Sequence, residues 1–183
     1  DTARQAVLAF AGDTYVGLEA ESLSPDDLTW AQEHLGILSG LYGVLRPLDL
    51  MRPYRLEMGS RLQNARGKNL YAFWGEKITA CINEATETHD PRVVVNLASN
   101  EYFKAVKPKS LKGTLVEPQF KEVKDGRARV IGFSAKRARG MMARYVIENR
   151  VTGVDDLKDF NAGGYTYQPT LSEGHKLVFT RPA

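Results

Sequence analysis

Leu28, Ala31, Leu35 and Leu38 recur at intervals of three and four residues, the spacing of one face of an α-helix. Ser24 stands before them as an N-cap, Pro25 takes the first helical position, and Asp26 and Asp27 fill the first turn, where acidic groups oppose the macrodipole. The pattern predicts a helix that ends at Ser39-Gly40. A second stripe, Leu70, Phe73, Trp74, Ile78, Cys81, Ile82 and Ala85, predicts one helix over 69–87 and puts Cys81 in the core, the usual place of a free thiol. The continuous β-branched run in "RVVVNLAS" predicts a parallel strand covered on both faces. Alternation through 113–133 around Lys124-Asp125-Gly126 predicts a hairpin, and Pro118 assigns its first strand to an edge or a bulge.

A third helix is expected over 134–150 with Ser134 as its cap. At 100° per residue, Ala138, Met141, Met142, Tyr145 and Val146 share one side, while Lys136, Arg137 and Arg144 lie opposite. Gly140 and Ala143 fall among the cations, where small residues would let a phosphate backbone approach. The tail over 153–179 reads as a short helix, a Gly-Gly break and two strands. These elements predict a single domain over 1–183 of the α/β class, or α+β, with a mixed sheet and surrounding helices.

Composition changes this picture little: 183 residues, 43% hydrophobic and 26% charged, suit one well-cored domain. No apolar run approaches the ~18 residues of a membrane-spanning helix, so no membrane partner is expected. Cys81 is the one cysteine and the three histidines are scattered; neither a disulfide, a metal site nor a cofactor is expected, and a reducing cytoplasm fits. A lone packed thiol also argues against thiol peroxidase chemistry. Charge changes the picture more. Residues 104–150 carry thirteen basic side chains against four acidic ones, +9, and the remainder carries −6. Lys and Arg concentrated in this way suit a polyanion, because they release the counterions condensed on nucleic acid.

"LSGLYGVL" at 38–45 has the hydrophobic-x-Gly-hydrophobic-x-Gly character of the hairpin in helix-hairpin-helix DNA-binding elements. There the glycines bring backbone N–H groups against a phosphate without reading sequence. On this reading Gly40 and Gly43 shape the hairpin, Arg46 and Arg52 reach phosphates, and Lys107, Lys109, Lys136, Arg137 and Arg144 line a basic cleft for double-stranded DNA. The alternative is an enzyme acting on a nucleotide, nucleobase or damaged DNA. It would use Asn96, Ser99, Asn100 and Glu101, which follow the predicted parallel strand at the usual place of α/β ligand sites.

Four blocks in order, "LSGLYGVLRPLDLMRPYRLEMG", "ARGKNLYAFWG", "VVVNLASNEYFKAVKP" and "FSAKRARGMMARYVIENR", closely resemble the YaaA family of bacterial peroxide-stress proteins. The resemblance implies a cytoplasmic protein of the oxidative stress response that helps limit iron and peroxide damage. It also implies a DNA-binding fold with a helix-hairpin-helix element and a positively charged cleft. Family members open with a further strand and a "SPAKT"-like turn that has no counterpart here, so an N-terminal segment is expected to be lacking.

Overall fold

The computed structural model describes residues 2–183. The chain opens with β1 (Arg4–Gln5), α1 (Ala6–Ala9) and α2 (Asp13–Leu18), then α3 (Pro25–Gln32). The start of α3 is the one its sequence predicts: Ser24 Oγ accepts the Asp27 N–H at 3.1 Å and the Asp27 carboxylate accepts the Ser24 N–H at 3.3 Å, a reciprocal capping box. Its end is not. The helix stops at Gln32, and the expected continuation forms β2 (Ile37–Ser39), paired antiparallel with β3 (Gly43–Leu45). This hairpin buries Ile37 and Leu45 in a cluster with Ala6, Val7, Leu18, Ala31 and Ile147, so tertiary packing overrides the helical period. β4 (Leu50–Met51) closes on β1.

The second predicted helix is two. α4 (Leu70–Trp74) begins at Asn69, whose Oδ1 accepts the Ala72 N–H at 2.9 Å, and α5 is Lys77–Ala85. Gly75, at φ 51°, breaks the helix and resets its phase. Ile78 and Thr79 are buried as a result, whereas Cys81 is exposed, contrary to the core position its spacing suggested. Partial burial and Glu84 raise the thiol above its usual pKa range, the wrong direction for an activated thiolate.

β5 (Val93–Val95), α6 (Asn100–Phe103), β6 (Thr114–Lys124), β7 (Arg127–Arg129), α7 (Gly132–Asn149), α8 (Val154–Leu157), β8 (Thr166–Tyr167) and β9 (Lys176–Pro182) complete the fold. The sheet has the order β5-β6-β9-β8, with β6 parallel to both neighbours and β7 hairpinned onto β6. This is the mixed sheet of an α/β domain. β5 pairs on one side only among the described residues, and its three valines are half-buried rather than enclosed on both faces. Pro118 lies in the long central strand, not at an edge. Thr114 donates to Arg92 and Val116 accepts from Asn96, so even-numbered residues of β6 turn toward the β5 side. β5 ends opposite Val116, and β7 reaches back along β6 only as far as Glu122; the missing Pro118 N–H therefore falls in the gap between them.

α7 starts at Gly132, with Ile131 and not Ser134 at its cap; Ser134 is buried inside the first turn. One face covers the sheet through Ala135, Ala138 and Met142, against Val116, Phe120 and Phe179. The face expected to be open and basic is instead occupied by α2. A Cβ on Gly140 would overlap the Thr14 carbonyl, and a Cβ on Gly17 would overlap that of Arg137. Gly140 and Ala143 thus admit a helix, not a phosphate.

α7 ends at a clasp. Arg150 donates to the Asp27 carboxylate at 2.8 Å and lies over Trp30, and Trp30, His34 and His89 stack in series with centroids 3.7 and 4.9 Å apart. Burial lowers the His89 pKa below its ordinary value; nearby His34 and Arg92 lower it further, while Glu33 opposes them. The folded state therefore favours neutral His89. Its contribution is complete above the unfolded pKa near 6.5 and is lost as pH falls through that value toward the folded pKa. Urea unfolding of the native chain and of His89→Phe at pH 7.5 and 5.5 is expected to show a larger loss on acidification for the native chain. Equal losses would remove His89 from the clasp's pH dependence.

Candidate nucleic-acid interface and strand-end site

The hairpin at the centre of the sequence reading is a β-hairpin, with no helix directly after it and its glycines turned inward. A Cβ on Gly40 would overlap the Leu56 carbonyl, and the Gly40 carbonyl accepts the Trp74 indole N–H at 3.0 Å. A Cβ on Gly43, at φ +79°, would come within 3.0 Å of the same indole ring. Both residues are buried, so neither can place its backbone against a phosphate; their lack of a Cβ serves the packing of Trp74 and the 56–57 segment.

The motif nevertheless builds something. Ser39 Oγ lies 2.5 Å from Tyr54 Oη and accepts the Tyr42 N–H at 3.0 Å, while Tyr42 Oη accepts the Arg52 N–H at 3.2 Å. Phe10 stacks on Tyr15 and meets Tyr54 edge-on. Burial first, then Tyr54 and Tyr102, holds the Tyr15 phenol well above its usual pKa, so this phenol stays neutral. A cleft of about 550 Å³ opens on it, walled by Phe10, Tyr54, Met51 and Arg4.

At the end of β5, most polar groups of the alternative site are engaged in local structure. Asn96 Oδ1 accepts the Ala98 N–H at 3.0 Å, and Ser99 caps α6 by accepting the Tyr102 N–H at 3.4 Å. Glu101 Oε1 accepts the Gly59 N–H at 2.9 Å, and the Glu101 carbonyl accepts the Tyr71 hydroxyl at 2.6 Å. Asn100 is exposed. The arrangement has the form of an Asx turn followed by a capped helical turn.

The predicted cations divide. Arg144 is a structural clamp: its Nη1 donates to the Leu18 and Glu19 carbonyls at 3.0 and 2.9 Å and to Ser22 Oγ at 2.8 Å, and its Nε donates to Glu148 at 2.6 Å. It holds the end of α2 and has no free donor fork for DNA. Arg46 pairs with Asp49 at 3.6 Å. Arg52, Lys109, Lys136 and Arg137 are exposed and Lys107 is half-buried; among the described residues none of the five has a carboxylate partner.

The β6–β7 hairpin adds three cations that the sequence reading did not single out. Lys124, Arg127 and Arg129 are exposed and lead directly into α7 with Lys136 and Arg137. Between the two groups stand Val130 and Phe133, 59% and 64% exposed. The signal that could have found them is the alternation "RARV" running out of a tight turn, which puts arginines on one strand face. Among the described residues no group of three or more His, Cys, Asp and Glu is placed to hold a metal ion, and no helix is long and apolar enough to cross a membrane.

A sequence profile described as peroxide stress protein YaaA matches residues 1–171. The chain belongs to the YaaA family. Two relatives are UPF0246 proteins: one from Saccharophagus degradans, 59% identical over 179 residues, 98% of this chain and 70% of the relative, and one from Magnetococcus marinus, 60% identical over 181 residues, 99% of this chain and 70% of the relative. YaaA membership ties the chain to the peroxide stress response.

Proposed function

We propose that this YaaA-family chain binds duplex DNA through phosphate contacts, using the exposed cations Lys124, Arg127, Arg129, Lys136 and Arg137 and reading no sequence. The carrying observation is that these five lie on one continuous β6–β7–α7 segment and that, among the described residues, no carboxylate neutralises any of them. Like charges gathered in this way repel one another in the free protein, and a polyanion removes that repulsion. Phe133 and Val130, exposed among them, offer apolar contact to sugar edges. Arg52, Lys107 and Lys109 supply flanking contacts in this reading, whereas Gly40, Gly43 and Arg144 do not take part. Protection from peroxide is then indirect, through occupation of DNA rather than through peroxide chemistry.

The test is binding of a short labelled duplex over a salt series. Log K should fall linearly with log salt, with a slope of roughly 0.9 per neutralised phosphate. The double reversal Arg127→Glu and Arg129→Glu should make the slope shallower by about 2 and weaken two unrelated sequences equally. A native slope near zero, or reversal without effect, removes the cation strip from the function.

A further inference from the structure

α7 carries one more cation, Arg139, and it is unlike the others. Its Nε is shut off from solvent and has no hydrogen-bond partner, the single such side-chain nitrogen or oxygen among the described residues. Among the described residues no carboxylate pairs with it, and burial alone lowers its pKa. Arg139 as a whole is half-buried, but a shielded Nε–H is costly while it lacks an acceptor, and an anion at the guanidinium would supply one.

The fold fixes what Arg139 stands beside. Met141 lies against Gly163, next to β8 and β9. Arg139 is two residues earlier, about 160° around the helix, and so projects toward the opposite, β5 side of the sheet. β5 approaches from the far end of α7, because His89, just before it, is tied through His34 and Trp30 to Arg150. Its end therefore runs back toward the first half of α7. Two contacts agree. Leu97 packs against both the cluster holding Ala135 and Ala138 and the cluster holding Ala143. Tyr102 of α6 acts electrostatically on Tyr15 of α2, the helix that crosses α7 at Gly140.

We infer that Arg139, with the amides of Asn96 and Asn100 at the end of β5, forms a receptor for a phosphate group, separate from the exposed cation strip. The Asn96 Oδ1 is taken by its own turn, which leaves the NH₂ of that amide as its donor for a ligand. Lys136, three residues before Arg139 and one turn away on α7, is exposed and adds a second positive charge at the rim. Strand ends of open α/β sheets are where such ligands dock. The phosphate belongs to a small nucleotide or to DNA itself, and the site does not require that the strip bind DNA.

The test uses inorganic pyrophosphate, adenosine monophosphate and a short duplex against the native chain, Arg139→Met, Arg139→Lys and Asn96→Ala. Pyrophosphate or the nucleotide should raise the native melting temperature saturably. Arg139→Met should bind roughly tenfold more weakly or worse, the scale of one charge-assisted hydrogen bond, while melting at or above the native temperature without ligand, because it removes a shielded donor that has no acceptor. Arg139→Lys should retain part of the binding. Small-ligand binding lost in Arg139→Met with duplex binding intact identifies a nucleotide site; loss of duplex binding alone identifies a DNA phosphate. Either supports the receptor, and the first holds even where the cation strip fails its own salt test. An Arg139→Met protein that binds every probe like the native chain, a native chain that binds none of the three, or an Arg139→Met protein that melts well below the native one overturns it.

Discussion

Gly140→Ala is expected to lower the melting temperature by roughly 10 °C, corresponding to about 3 kcal/mol. The new methyl would meet the Thr14 carbonyl and lie 2.8 Å from the Leu18 N atom. These are backbone atoms of α2, which cannot swing aside as a side chain can, so relief requires the two helices to separate. Separation would in turn unseat Leu18, Ala143 and Ile147, which share one buried cluster. Gly153→Ala is the control: a Cβ there meets nothing within 4 Å and its φ is −121°, so the change should be within about 0.5 kcal/mol of neutral. DNA affinity of the folded Gly140→Ala protein should be unaffected. A melting temperature within a degree or two of the native value would show that the α2–α7 contact is looser than its geometry says.

The second large effect separates two arginines that the helical wheel places together. Arg144→Met should cost about 1–2 kcal/mol, since it removes the bonds that tie the part-buried Leu18 carbonyl, the Glu19 carbonyl and Ser22 to α7 and ends the pairing with Glu148. It should leave the salt slope of duplex binding unchanged. Arg137→Met should do the reverse, with stability unchanged within about 0.5 kcal/mol and the slope shallower by about 1. Chemical unfolding and a salt titration on each variant read both axes. If Arg144→Met left stability intact and weakened DNA binding, Arg144 would return to the interface and the clamp assignment would fail.

Both predictions turn on α7, where the limits of the sequence are plainest. Its period correctly placed Ala138, Met142 and Val146 toward the sheet, because one buried face suffices to set a hydrophobic stripe. The opposite face looked like solvent, since Gly140 and Ala143 carry too little side chain to register as apolar. A glycine tolerates water and a crossing helix equally well, and only the partner decides which it meets.

The same limit explains the hairpin. "LSGLYG" signals a sharp backbone and delivers one; whether its glycines face phosphate or Trp74 depends on an indole that lies 34 residues beyond Gly40 in sequence.

What the sequence determined by itself was local or cumulative. It set the Ser24–Asp27 cap, the turn at Lys124-Asp125-Gly126, the mixed-sheet class, the concentration of cations over 104–150 and the family carried by four long blocks. These rest on short-range hydrogen bonds, conformational preferences and residue order. Tertiary structure alone decided where Pro118 could lose its N–H without cost and which arginines are locked, exposed or orphaned. It also turned Cys81 outward. Each of these depends on what a distant segment places opposite a residue, and burial and pairing are properties of two surfaces, of which one stretch of chain supplies only one.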